Sequence, residues 1–291
     1  MINYTIIIPH FNSPQLLKRC LASVPDNEET QVIVVDDNSD PQVVDFNDFP
    51  GRERKNTQII FNKNRHGAGH ARNLALPHSK GKWLIFADAD DFFLPNAWKI
   101  FDSYLYSDAD IIYFNYTSVD GNTLQANNRQ QIYGKYFEAY YTNPTDFNRD
   151  HLRYRHDIPW GKMIRKSLID TCGITFGETK YCNDTLFSTR SALVAQKVII
   201  EQRKVYCVTT TQGSLTQQQS AEAILTRLDV LLEKNYLLRT NNLKEHQVTV
   251  LFYFRQALSC NLHVFLQAVC LAYKHHTPIS MIYIYSRLYK Y

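Results

Sequence analysis

Three segments in the first ninety residues share one pattern: an apolar run that stops abruptly at polar or acidic residues. Tyr4-Thr5-Ile6-Ile7-Ile8-Pro9 is the first, Val32-Ile33-Val34-Val35 runs into Asp36-Asp37-Asn38-Ser39-Asp40, and Trp83-Leu84-Ile85-Phe86-Ala87 runs into Asp88-Ala89-Asp90-Asp91. Short, β-branched apolar runs of this kind predict strands. Between them the period changes. Ser13 suits an N-cap and Pro14 the first helical position, and Leu17, Cys20, Leu21 and Val24 then recur at helical spacing. Asn56–Phe61 predicts a strand, Gly67–Leu76 a glycine-led helix, Lys82–Ala87 a strand, Pro95 to about Tyr106 a helix, and Ile111–Phe114 a further strand. This alternation over about the first 115 residues predicts an α/β fold with a mostly parallel central sheet flanked by helices.

The acidic ends of two strands carry the candidate chemistry. Ligands of open α/β sheets bind beyond the strand ends, and carboxylates crowded there repel one another unless a cation or hydrogen bonds compensate them. Mg²⁺ or Mn²⁺ suits such a place, because either ion takes one or two carboxylates and completes its shell with substrate phosphates. The competing expectation is a simple strand-to-loop turn in which Asp88 or Asp91 caps the next helix.

The ordered set of motifs resembles family-2 inverting glycosyltransferases of the GT-A fold. The resemblance rests on Ile7-Ile8-Pro9-His10-Phe11-Asn12, Val34-Val35-Asp36-Asp37-Asn38-Ser39, Asn64-Arg65-His66-Gly67 with Ala71-Arg72-Asn73, and Phe86-Ala87-Asp88-Ala89-Asp90-Asp91. Trp160-Gly161-Lys162-Met163-Ile164-Arg165 and Asn183-Asp184-Thr185-Leu186-Phe187 extend it to the acceptor side. It implies a GT-A catalytic domain over residues 1–215, divided into a nucleotide-sugar-binding half (1–115) and an acceptor-side half (116–215). It also implies roles. Pro9, Phe11, Asp37, Arg72 and Asp88 would bind the nucleotide-sugar, with Phe11 against the base and Asp37 accepting from it. Asp90, with Asp88 beside it, would hold Mn²⁺ or Mg²⁺. Asp91, Trp160, Lys162 and Asn183 would touch the donor sugar or the acceptor, Asp91 alternatively stabilising its loop. Asp184 would be the general base, weakened by its place at a helix start, where the helix dipole lowers a carboxylate's pKa; its alternative role is to cap that helix, Thr185–Ala195. Relatives carry Glu before this Asp, so Asn183 departs from the pattern and leaves the acceptor contacts open.

The implied reaction moves a sugar from a nucleotide diphosphate, UDP in preference to GDP or dTDP, to a hydroxyl of a glycan or lipid-linked saccharide in surface-polysaccharide synthesis. Two other classes compete: a non-catalytic nucleotide-binding subunit of the same fold, and an Asp-x-Asp phosphatase. The phosphatase ranks lowest, because Asp91-Phe92-Phe93 and three earlier strands do not suit it. No nucleic-acid partner is expected, since no recognised motif accompanies the basic residues.

Composition refines the location. The six cysteines lack metal or disulfide spacing, and the first residues run straight into a strand, which together predict reduced thiols and a cytoplasmic setting. Residues 242–291 hold Lys244, Arg255, Lys274, Arg287 and Lys290 against Glu245 alone, a surplus equal to the whole chain's formal net charge of +4. Leu251, Leu258, Leu262, Phe265, Val269 and Ala272 form an approximate helical stripe, and residues 216–291 are expected to form a helical extension. Residues 247–273 are expected to be a buried helix within it, and Ile279–Tyr291, rich in tyrosine and cations, a tail touching the anionic inner face of the membrane.

Overall fold

The computed structural model of the chain describes residues 2–210 and 218–278. It contains an eight-stranded sheet of order β3-β2-β1-β4-β7-β6-β8-β5. The strands are β1 (Tyr4–His10), β2 (Thr30–Asp36), β3 (Thr57–Phe61), β4 (Trp83–Phe86), β5 (Phe92–Phe93), β6 (Ile111–Asp120), β7 (Lys162–Arg165) and β8 (Val198–Thr210). The apolar runs explain the first half. β1 lies between β2 and β4, parallel to both, with Ile6 opposite Val32 and Ile85, and β3 adds in parallel beyond β2. Ile6, Ile8, Val32, Val34 and Ile85 face one core, while Ile7, Ile33, Val35, Leu84 and Phe86 face the other. Full burial of each such side chain contributes about 1.5–3 kcal/mol. The second half is mixed: β7 runs antiparallel to both β4 and β6, β6 and β8 are parallel, and β5 is antiparallel to β8.

Because β1, β2 and β4 are parallel, the loops after His10, Asp36 and Phe86 emerge on one rim. Helices cover the two faces: α1 (Pro14–Ala22), α2 (Ala68–Ala75), α3 (Ala97–Asp102), α4 (Gln131–Thr142), α5 (Asp146–Arg155), α6 (Lys166–Cys172) and α7 (Thr185–Val194). Ser13 and Pro14 start α1 as expected, although the Ser13 hydroxyl makes no capping bond. The helix expected from Pro95 to Tyr106 is shorter, with Asn96 as its N-cap, so neither Asp88 nor Asp91 caps it.

The extension is helical: α8 (Ala221–Thr240), α9 (Leu251–Cys260) and α10 (Leu262–Lys274). The single helix expected over 247–273 is broken at Asn261. Its backbone is extended and its side-chain oxygen accepts from the Val264 N–H at 2.9 Å. Asn competes for backbone donors this way and so favours caps over helix interiors. Leu228, Leu232, Phe254, Ala257, Val264 and Ala268 form a third core among the three helices. Among the described residues no helix is long and apolar enough to cross a membrane. The expected tail, Ile279–Tyr291, lies outside the described residues.

Candidate active site

The rim loops are braced against each other. His10 Nε2 accepts from the Ser13 N–H at 3.1 Å, so the ring proton sits on Nδ1 and is donated to Asp36 at 2.7 Å. Ser39 donates to Asp36 from both its hydroxyl and its backbone. Burial works against the Asp36 carboxylate, yet the bonds from His10 and Ser39 hold its pKa below the ordinary value. Asn12 ties to Ser39 and Asp40 across the same gap. Asp37 takes N–H groups from Asn62 and His66 on one oxygen and from Gly67 on the other, at 3.0, 3.1 and 2.7 Å. A carboxylate has about four acceptor sites, so one remains for a ligand. Gly67 makes the turn into α2 with φ of +90°, a conformation glycine adopts without a Cβ clash.

These loops form one wall of a cleft of about 720 Å³. Pro9, Phe11, Asp37, Arg72, Asp88, Asp90, Asn183 and Asp184 all line it. Arg65 covers the Phe11 ring, its guanidinium 3.8 Å from the centroid. Arg72 is 4% exposed and joins the two halves of the site. It donates to Asp88 at 2.5 Å and to Asn183 at 3.0 Å, a charge-assisted pair in which Arg72 is buried and Asp88 half-buried. Asp90 is half-buried, and its backbone oxygen is held by Arg19 and Thr209. Burial, reinforced by Asp88, pushes the Asp90 carboxyl up to about 6. No group of three or more ligand-type residues converges among the described residues. Asp88 and Asp90 thus offer the small carboxylate set that suits a hard cation bound largely through substrate phosphates.

Asp184 occupies the N-cap of α7 but makes no side-chain capping bond. Its expected pKa is corrected in direction. Burial, with Asp88 and Asp157 adding to it and Arg72 opposing, raises the carboxyl to about 6, where a helix start alone would have lowered it.

Three residues expected at the site lie beneath the cleft instead. Asp91 is buried and accepts from the Thr209 N–H at 2.7 Å, pinning the turn to β8. Trp160 stacks on Tyr206 at 5.3 Å. Lys162 donates to the His156 carbonyl at 2.7 Å and to Ser188 at 3.3 Å. It is 2% exposed, and burial pushes its pKa down to about 7 although Asp157 and Asp184 oppose.

Other wall residues were not foreseen. Tyr133 comes from the first turn of α4 and Arg129 from the short turn before it, Lys180 from the loop before α7, and Arg227, Leu231 and Tyr253 from the extension. Fully buried Lys234 of α8 pairs with Asp157, another wall residue. One signal was legible: Arg227, Leu231 and Lys234 lie at i, i+4 and i+7, a mixed stripe on one helix face.

Gly69 explains how the donor and acceptor sides meet. A Cβ there would lie 2.0 Å from the Gly177 carbonyl oxygen and 2.9 Å from Asn183 Cβ. Gly69→Ala is therefore expected to destabilise the fold by about 1–3 kcal/mol through overpacking and to weaken nucleotide binding. Urea unfolding checks the first effect; an unchanged midpoint would show that the 177–183 loop yields freely.

Mixed strand order, an acidic rim and a cleft rich in both charges define a GT-A glycosyltransferase fold, and comparison with known proteins agrees. The model of "Glycosyl transferase family 2" matches residues 5–173. The chain belongs to this family, and it is a glycosyltransferase. Glycosyltransferase GlyG of Streptococcus pneumoniae is 21% identical over 74% of this chain and 73% of its own. A poly(ribitol-phosphate) beta-glucosyltransferase of Bacillus spizizenii is 25% identical over 67% of this chain, which spans only 30% of that enzyme. Among solved structures, S. aureus TarS 1-349 in complex with UDP-GlcNAc superposes with a TM-score of 0.66 at 19% identity, covering 94% of this chain and 80% of that one. A Pyrobaculum calidifontis mannosyltransferase in complex with GDP-Man and Mn²⁺ gives 0.54 at 14% identity, covering 99% and 81%.

Proposed function

We propose that the chain transfers a sugar from a UDP-linked donor to a hydroxyl of a glycan or lipid-linked acceptor in surface-polysaccharide synthesis, inverting the anomeric carbon. The observation that carries this is Asp184: a half-buried carboxylate in the cleft wall, free of any capping duty, next to Asn183, which Arg72 ties to Asp88. It takes the acceptor hydroxyl's proton as the oxygen attacks the face of the sugar opposite the diphosphate. Phe11 and Asp37 hold the base, while Arg72 fixes Asp88 in place. Asp90 and Asp88 hold Mn²⁺ or Mg²⁺, which when bound neutralises charge on the departing diphosphate. The domain division at about residue 215 fits this reading in part, since α8 and α9 also help to wall the cleft. The name of TarS and of the Bacillus relative supports the polysaccharide setting by analogy. Release of nucleoside diphosphate from a panel of UDP-, GDP- and dTDP-sugars, with and without Mn²⁺, tests it. Turnover of UDP-sugars is expected; no turnover or UDP binding would sink the reading.

The same reading places the enzyme on the inner face of the membrane. Besides the basic, tyrosine-rich tail, Leu262, Leu266, Val269 and Tyr273 form an exposed stripe along α10 at i, i+4, i+7 and i+11. Deleting Ile279–Tyr291 is expected to release the protein from anionic liposomes, each lost cation removing about 1 kcal/mol of attraction. Co-sedimentation at low and high salt checks this. Full-length protein that ignores anionic liposomes even at low salt would assign the tail to packing or oligomer contact.

A further inference from the structure

A second concavity, a groove of about 1020 Å³, lies on the other side of α4 from the cleft. Five carboxamides, Asn115, Asn128, Gln130, Gln131 and Gln202, share its walls with aromatic and aliphatic side chains. Asn115 sits at the register shift between β6 and β8. Its side-chain oxygen takes the Tyr116 N–H at 2.8 Å, and the Gln130 oxygen takes the Thr117 hydroxyl at 3.1 Å. Among the described residues neither NH₂ group has an acceptor, so both can donate to a ligand. Gln131 and Gln202 are exposed and make no side-chain hydrogen bond to a described residue. Tyr141 is 40% exposed, and its hydroxyl is anchored to the Ile200 carbonyl at 2.7 Å, so the ring is held in place on the groove wall.

Gly134 is the second, independent observation. It lies inside α4 and lines the groove. Its backbone is ordinary helix, and an added Cβ would meet nothing within 4 Å. Neither backbone geometry nor packing requires glycine there, although glycine is the poorest helix former after proline. Without a side chain the position leaves open space beside the helix backbone, which a ligand can approach closely.

We propose that this groove binds an oligosaccharide, the part of a glycan acceptor beyond the sugar that receives transfer. This rests on the transferase reading above. Carboxamides donate and accept at once, as sugar hydroxyls do, and a fixed tyrosine ring gives a face for sugar C–H groups. Lys135 and Lys204 against Glu138 leave the groove near charge balance, which does not suit a polyanion. The volume lies at the top of the range for small-molecule sites, enough for several sugar rings. Position agrees: Arg129 and Tyr133 face the cleft, while Gln130, Gln131 and Gly134 face the groove. The start of α4 thus borders both, so a chain whose end reaches Asp184 can continue past it.

Calorimetry with neutral oligosaccharides of two to six sugars from bacterial surface polysaccharides, with and without saturating UDP, tests the proposal. Saturable binding is expected, indifferent to UDP and retained in Asp90→Ala. Gly134→Trp, which fills the groove, is expected to weaken it at least 10-fold without lowering the thermal midpoint. Gln131→Ala with Gln202→Ala, which removes only exposed amides, is expected to weaken it comparably should the tryptophan variant misfold. Absence of binding across the panel overturns the proposal, as does binding displaced by UDP or unaffected by both variants. Failure of the transferase reading shows separately, as absent nucleotide release with groove binding intact.

Discussion

Asp184→Asn is expected to lower turnover by at least about 10²-fold while leaving affinity for the nucleotide donor nearly unchanged, the signature of a lost general base. The amide has the same shape but cannot take a proton. No capping bond is lost, because the carboxylate makes none, so the folded state should survive. The wild-type pH profile should carry the same signature. With its pKa raised to about 6, Asp184 is protonated and inactive as a base below that value and ionised above it. Turnover should therefore rise through about pH 6 and level off above it, and the variant's residual rate should lack that limb. Near-normal turnover by a folded variant would remove Asp184 from the chemistry.

Asp90→Ala is expected to abolish Mn²⁺-dependent donor binding while UDP alone still binds weakly. The site would keep a single carboxylate, Asp88, one of whose oxygens already serves Arg72, so too few ligands would remain for a hard cation. Removing Asp90 also relieves repulsion with Asp88, so the fold should be no less stable. Calorimetry with UDP and Mn²⁺ checks this, and unchanged metal-dependent affinity would take Asp90 out of the site. Both acidic groups titrate near pH 6, but they can be separated. Metal competes with the proton on Asp90, so that limb moves to lower pH as Mn²⁺ rises. The Asp184 limb stays where it is.

The contrast between Asp90 and Asp91 shows where sequence reasoning stops. Both follow the same strand, yet Asp90 faces the cleft and Asp91 is buried against Thr209. Adjacent carboxylates in one motif are equivalent until β8 arrives to claim one of them. Lys162 shows the same limit. The motif suggests a contact to donor or acceptor, but the His156 carbonyl and Ser188 of α7 take its ammonium beneath the cleft.

Local features were determined by the sequence alone. The apolar runs specify β1, β2 and β4, and the carboxylates at the ends of β2 and β4 specify an acidic rim, because strand burial and rim chemistry need only neighbouring residues. The order of the motifs also sufficed for the family. The tertiary structure alone decided which residues share the cleft. Arg72 meets Asn183 across 111 positions and Lys234 meets Asp157 across 77. The direction of the Asp184 shift was decided there too, since burial outweighs the helix start. Such pairings and burials follow from how helices pack on the sheet, and packing joins residues whose separation along the chain leaves no local trace.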